Sequence, residues 1–295
     1  MVERKISFQI MANIILIILA ILCLLPFILL IVSSFTDELT LTHYGYRFFP
    51  KKLSLDAYKY LLVDSTTIIK SYIISFGVTI VGTLANVFLT VLFAYPLSRK
   101  DLPGRQIFSF FIFFTMLFNG GLVPSYIMWT QVFHIKNTWW AYIIPGLMMS
   151  AFYVIMMRTY FTTNIPEAVI EAARMDGATE RHILTSIVLP MSIPIVATVT
   201  LLVGLSYWND WINGLYYINK DTMYSIQSLL NKMLMDVQFL LSNAQSGASI
   251  NQDIVLPSTG IKMAIAVMGA VPILMVYPFF QKYFIKGIII GAVKG

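Results

Sequence analysis

The chain is built from long apolar runs separated by short polar stretches. Six of the runs lack Asp, Glu, Lys and Arg: Ile6 to Thr36, Ser71 to Ser98, Gln106 to Ile135, Asn137 to Met157, Ile183 to Asn209 and Met263 to Gln281. Each can cross the hydrocarbon core of a bilayer as a helix, which takes about 20 residues. Stretches such as Ile14-Ile15-Leu16-Ile17-Ile18-Leu19 do not alternate, so they match poorly the strands of a membrane barrel, which alternate over about 10 residues. In the first run the apolar heart is Ile14 to Val32, with a kink expected at Pro26. Arg4 and Lys5 precede it as they would a signal peptide. The run is too long for a signal core, however, and ends in Val32-Ser33-Ser34-Phe35 without a small-x-small cleavage pattern, so a retained helix is expected. The fold class read from this pattern is all-α, a polytopic membrane protein with six transmembrane helices.

Composition agrees with the pattern. Of 295 residues 58% are hydrophobic and only 12% charged, against roughly 25% charged in a soluble domain. With a mean hydropathy of +0.78, a water-soluble globule is excluded, because its surface would be largely apolar. The net charge of +6 would elsewhere raise the question of nucleic acid, but here the charges lie between apolar runs and read as membrane topology. Short basic flanks mark the inner side at Arg4 and Lys5, at Arg99, Lys100 and Arg105, at Arg158, Arg174 and Arg181, and at Lys282, Lys286 and Lys294. The short third loop carries only Lys136. Two long outer segments also hold lysines, among mixed charges, where the rule is weak; the tally predicts N-in/C-in. The expected organisation is an N-terminal helix with an external segment over 1–70, a transmembrane core over 71–285 with a cytoplasmic segment at 166–190, and a cytoplasmic tail at 286–295.

None of the six runs contains the acidic or basic side chain that a proton-coupled pump or voltage sensor normally carries. A pathway would then be neutral, lined by groups such as Asn86, Thr90, Asn119 and the aromatics, with driving energy from elsewhere; sodium coupling through carbonyls and hydroxyls stays open. No lysine is preceded by glycine, so no phosphate-wrapping loop of the P-loop type exists in the chain. Compact hydrolase and zinc-protease signatures are absent as well. His43, His134 and His182 are far apart without cysteine company and lie at or beyond the edges of the runs, so neither a metal site nor an intramembrane enzyme is expected. The single Cys23 cannot form an internal disulfide.

The most informative polar stretch lies between the fourth and fifth runs. Pro166 and Glu167 suit a helix start, and Gly177 is well placed to stop the helix. An ordinary connecting helix would look the same to this point. The continuation gives Glu171-Ala172-Ala173, Gly177 three residues after Arg174, nine intervening residues, and then Ile187-Val188-Leu189-Pro190, with Pro194 beyond. Gly177, Pro190 and Pro194 alone would align by chance roughly 2 times in 10,000.

This stretch resembles the cytoplasmic signature of the membrane-spanning permease subunits of binding-protein-dependent ABC importers, and every fixed position matches. Asp176 and Ala178, the ending Gly287 to Gly295, the Phe49-Pro50 region and Tyr207-Trp208-Asn209-Asp210 are similar to the carbohydrate-uptake branch with maltose-type six-helix subunits. Gly120-Gly121-Leu122-Val123-Pro124 and Asn137-Thr138 resemble permeases for complex oligosaccharides more softly. The resemblance implies a type I ABC importer permease fold in a bacterial-type inner membrane. It implies a non-enzymatic subunit that forms the path with a second permease, takes sugar from an extracellular solute-binding protein, and couples to a dimer of ATP-binding subunits. ATP and Mg would be used by those ATPase partners, and this chain would bind no cofactor.

By the same resemblance Glu171, Ala172, Ala173, Asp176, Gly177 and Ala178 form a coupling helix seated on the ATPase. The polar stretch from Asp210 to Lys262 is an external loop that meets the binding protein, and the tail after Lys282 is a further ATPase contact or a plain membrane flank. Asn119, Tyr207 and Trp208 are chemically suited to a polyhydroxylated solute, although Tyr207 and Trp208 equally suit an interfacial belt. The alternative is a self-contained secondary carrier or channel for a small polar solute, which would be expected to show an internal repeat; no convincing one is seen.

Overall fold

The computed structural model describes residues 6–63, 65–245 and 258–292, and among these the regular elements are all helical, with one isolated bridge between Thr36 and Leu53. The first apolar run forms one helix, α1 (Ile6–Ser34), which keeps Pro26 inside a continuous element. In the polar stretch that follows are α2 (Glu38–Tyr44) and α3 (Asp56–Leu62), and the second run is again continuous as α4 (Ser65–Ser98). The third run is not. Helix α5 (Arg105–Leu117) ends in extended backbone at Phe118, and after Gly121, at φ +87°, the chain enters α6 (Leu122–Ile127) and a π-helical turn at a bend of 108°.

The fourth run breaks as well, into α7 (Trp140–Ile143) and α8 (Ala151–Asn164), with Pro145 and left-handed Gly146 between them. The polar connector then forms α9 (Glu167–Met175). In the fifth run α10 (Glu180–His182), a π-helical stretch and α11 (Leu189–Met191) bend by 82° at Ser192 into α12 (Ile193–Trp208). After α13 (Ile212–Tyr217) come α14 (Ile226–Gln245) and α15 (Ser258–Ala292).

Among the described residues three helices are long and apolar enough to cross a membrane, and up to five crossings result if each bent pair is one span. The charge-free run from Asn137 to Met157 supplies no continuous spanning helix. The stretch from Asp210 to Lys262, expected as a loop, instead holds α13 and α14. Ile226, Leu229, Leu230 and Val237 recur there at helical spacing and are buried, so an amphipathic helix sits inside a segment whose polarity suggested a connector. Val293, Lys294 and Gly295 of the expected tail, and residues 246–257 of the expected loop, lie outside the described residues.

Two compact units are present, one from residues 1–66 with 230–272 and one from 67–229 with 273–295. In the first, Phe35 stacks on Tyr58 with ring centroids 4.8 Å apart, and the Tyr58 hydroxyl shares a 2.8 Å hydrogen bond with Ser34. The Glu38 carboxylate accepts from the backbone N–H groups of Thr259 (3.0 Å) and Gly260 (2.9 Å). It thereby caps the N-terminus of α15, where unpaired donors and the helix dipole favour an anion.

The second unit is organised around the broken fourth run. Three carbonyls at the break accept from side chains of other elements. The Ile143 carbonyl accepts from the Tyr207 hydroxyl of α12 (2.8 Å), that of Pro145 from Asn213 Nδ2 of α13 (3.0 Å), and that of Leu147 from Asn86 Nδ2 of α4 (2.6 Å). Asn86 and Tyr207 are buried, and Asn213 is nearly so. Close packing lets the donors reach: a Cβ at Gly82 would stand 2.5 Å from the Tyr207 ring, so glycine on α4 makes room for the aromatic. Non-helical backbone at membrane depth is tolerated only when such partners are present. Asn213→Ala should therefore leave the Pro145 carbonyl without its side-chain donor and cost about 1–3 kcal/mol, the usual penalty for a buried unpaired group. The expected outcome is a clearly lower thermal unfolding midpoint in detergent; an unchanged midpoint would mean the break is held by something else.

Candidate functional site

The short helix α9 is anchored by one side chain. Ile170 is buried, as is Ile165 just before the helix, while Glu167, Ala168, Glu171, Ala172 and Met175 face outward. Pro166 occupies the N-cap, where its missing N–H removes no helical bond. The helix end is a full Schellman arrangement: Ala178 N–H donates to the Ala173 carbonyl and Gly177 N–H to the Arg174 carbonyl, both at 3.0 Å. Asp176 is the C-cap, and Gly177 stands at φ +82° with open space where a Cβ would go. Its glycine requirement is thus a matter of backbone conformation and not of crowding.

Ion pairs tie α9 to its surroundings. Arg174 reaches Asp101 in the α4–α5 connection and Glu180 at the start of α10, each at 2.8 Å. The second oxygen of Glu180 accepts from the Tyr95 hydroxyl on α4. At the other end of α9, Lys100 pairs with Glu167. The connector is therefore a braced lever between α8 and α10. Sequence reading singled out Glu171, Ala172, Ala173, Asp176, Gly177 and Ala178; Glu171, Ala172, Asp176 and Gly177 lie exposed, whereas Ala173 and Ala178 pack against the core. It did not find the brace. Arg174, Asp101 and Glu180 were visible only as charges, and Tyr95 lies 85 residues from its partner.

Of the three residues considered for a solute path, Asn119 lies on a different element from Tyr207 and Trp208. Asn119 sits at the bend after α5, where its Oδ1 accepts from Gly121 N–H at 2.8 Å. Tyr207 and Trp208 end α12 and are buried; Trp208 packs near Phe76 (5.1 Å) and Tyr72 (6.4 Å), and Tyr207 holds the broken run. Beyond them, burial pushes the Asp210 carboxyl up, and hydrogen bonds from Asn213 draw it part of the way back. Among the described residues no cluster of His, Cys, Asp and Glu suits a metal ion.

A polytopic helical unit with broken spans and an exposed, braced connector defines a membrane permease. Residues 6–290 match the family described as binding-protein-dependent transport system inner membrane component, and the chain belongs to that family. It is 39% identical over 280 residues to the polygalacturonan/rhamnogalacturonan transport system permease protein YtcP of Bacillus subtilis, covering 94% of each chain. To the trehalose/maltose transport system permease protein MalG of Thermococcus litoralis it is 27% identical, over 95% of this chain and 94% of that one. A subunit of a crystallised bacterial ABC transporter involved in the import of the acidic polysaccharide alginate superposes with a TM-score of 0.77 at 30% identity, covering 96% of this chain and 99% of its own.

Removing the brace should loosen the lever without unfolding the protein. Exposed ion pairs contribute about 0–1 kcal/mol each, so Arg174→Ala should leave the unfolding midpoint nearly unchanged. Amide hydrogen exchange over residues 167–178 should rise several-fold, and unchanged protection there would show that Arg174 does not hold α9.

Proposed function

We propose that this chain is the permease subunit of an ATP-driven importer for oligosaccharides, with six membrane crossings, both ends cytoplasmic, and α9 seated on a partner ATPase. The observation that carries this reading is family membership over 6–290 joined to an exposed α9 ending in a glycine-dependent Schellman turn. The sugar class rests on the names of its relatives, which are permeases for pectic, trehalose/maltose and other saccharide systems. A second permease completes the path, a solute-binding protein delivers the sugar, and ATP with Mg is used by the ATPase dimer. Two residue groups of the reading serve different tasks: Glu171, Ala172, Ala173, Asp176, Gly177 and Ala178 form the coupling face and its stop, and of Asn119, Tyr207 and Trp208, exposed Asn119 borders the path while buried Tyr207 and Trp208 stand behind it as wall.

In a coupling helix the outward residues Ala168, Ala172 and Met175 give a low apolar surface, with Glu171 as the charged contact. Closure of the ATPase dimer on ATP then moves two such levers together and biases the membrane halves between inward and outward access. A left-handed stop keeps the lever short, and an L-residue there costs about 1–2 kcal/mol, more when β-branched.

The direct test is purification of the tagged chain with its companions, followed by reconstitution. Recovery with an ATPase and a second permease, and ATP-dependent uptake of pectic oligosaccharides into vesicles loaded with the nucleotide on the ATPase side, is the expected result. Recovery alone with uptake in ATP-free vesicles would establish a secondary carrier instead. Within the assembly, Gly177→Val should lower transport at least severalfold while membrane insertion stays normal, and Gly177→Asn, which tolerates the left-handed region, should retain most of it. Normal transport by Gly177→Val would remove the coupling-helix account. Glu171→Lys should lower sugar-stimulated ATP hydrolysis more than Glu167→Lys, because Glu167 is engaged with Lys100 inside this chain.

A further inference from the structure

At the start of α5, half-buried Arg105 lines one recess with half-buried Arg158 of α8, whose guanidinium is pushed down by burial, with the charge of Arg105 adding to it. Among the described residues neither makes an ion pair or a side-chain hydrogen bond. The nearby acids are committed elsewhere, Glu167 to Lys100 and Asp101 to Arg174. Two half-buried cations lining one recess without a counter-charge call for an anion.

Both line a recess of about 770 Å³, to which Lys100 also contributes. Its wall shares Ser109 and Arg158 with a second, apolar recess of about 240 Å³ between α5 and α8, lined by Leu97, Ile112, Val154 and Ile155. A basic mouth thus opens onto an apolar groove, at the level where the chain leaves its apolar runs on the side marked by basic flanks.

We propose that this recess binds an anionic phospholipid of the cytoplasmic leaflet, its phosphate held by Arg105 and Arg158 and an acyl chain laid in the groove between α5 and α8. A soluble anion would satisfy the arginines and leave the groove empty; an amphiphile satisfies both. The site adjoins Lys100 and Asp101, which brace α9, so the bound lipid would steady the base of that lever. The inference rests on membership in an inner-membrane family and not on the identity of the transported solute.

The test is native mass spectrometry of the purified assembly in detergent, offered equimolar phosphatidylglycerol and phosphatidylcholine. The expected preference for phosphatidylglycerol is about thirtyfold, in line with the attraction of two basic side chains for an anionic surface. It should vanish in the double variant R105Q/R158Q, persist in R105K/R158K, and fall in I155W, which fills the groove without touching the charge. Equal retention of the two lipids, or a preference that survives R105Q/R158Q, would overturn the proposal. So would displacement of phosphatidylglycerol by inorganic phosphate with I155W behaving as wild type, which marks a soluble-anion site. Crosslinking of R158C to the second permease would show a protein covering the groove and would also overturn it. Because the readout is lipid retention, a failure here leaves the transport reading untouched, and a failure of transport leaves this measurement valid.

Discussion

The constraint on which the second unit depends is the satisfaction of backbone carbonyls where its fourth apolar run breaks. A continuous helix needs no help from its neighbours, since every internal group is paired within the segment. Breaking the run at Pro145 and Gly146 leaves carbonyls there without helical partners. Three donors on three different elements, Asn86, Tyr207 and Asn213, supply what the helix gave up. Each is in turn positioned by a local contact: Thr90 donates to Asn86 Oδ1 at 3.1 Å, Gly82 clears space for Tyr207, and Asp210 holds Asn213 through its backbone and amide N–H groups. The break therefore pins α4, α12 and α13 to one point.

The connector α9 shows the opposite economy. Its stability owes little to burial, which is concentrated in Ile170, and much to geometry at its two ends. Arg174 fixes the last turn to the α4–α5 connection and to α10 simultaneously, and the Schellman turn at Gly177 sets the direction in which the chain leaves. Its ends are fixed while its outer face, carrying Glu171, Ala172 and Met175, stays exposed, which is what the proposed coupling role requires. Each exposed ion pair adds little to global stability, yet together they set where the helix lies, which is the quantity a coupling element needs.

Much of this was legible in the residues. Charge-free runs identified the membrane class, and the spacing from Glu171 through Gly177 to Pro190 identified the connector, because those features are local and their physics is short-range. Crossing helices were harder to count, since absence of charge marks apolar surroundings and not continuity of hydrogen bonding. The break signals were present as Asn119-Gly120-Gly121, Pro145-Gly146 and Pro190-Met191-Ser192, but a proline or glycine in an apolar run is compatible with a kink or with a full stop. Tyr207 was ambiguous for a different reason. Its partner carbonyl lies 64 residues away, and nothing adjacent to it in sequence distinguishes a buried anchor from an interfacial belt residue or a sugar platform. The helix α14 was hidden by average polarity, although its apolar residues keep a strict helical spacing.

The accounting of polar groups also bears on where a solute could be held. Asn86, Asn213 and Tyr207 have the chemistry suited to hydroxyl-rich ligands, but their donors are engaged with backbone whose loss of partners would cost more than a sugar contact would return. Polar groups that hold the break cannot at the same time desolvate for a passing ligand without loosening three helices. Asn119, free of that duty, lies exposed at the bend after α5, where its Oδ1 accepts from Gly121 N–H within its own turn. On the proposed pairing with a second permease, this core, stitched through the fourth run, would form one wall of a chamber shared between the two subunits. On that proposal the rigidity of the break and the mobility of an assembly are not in conflict, because alternation of access would take place between subunits and would leave each stitched core intact.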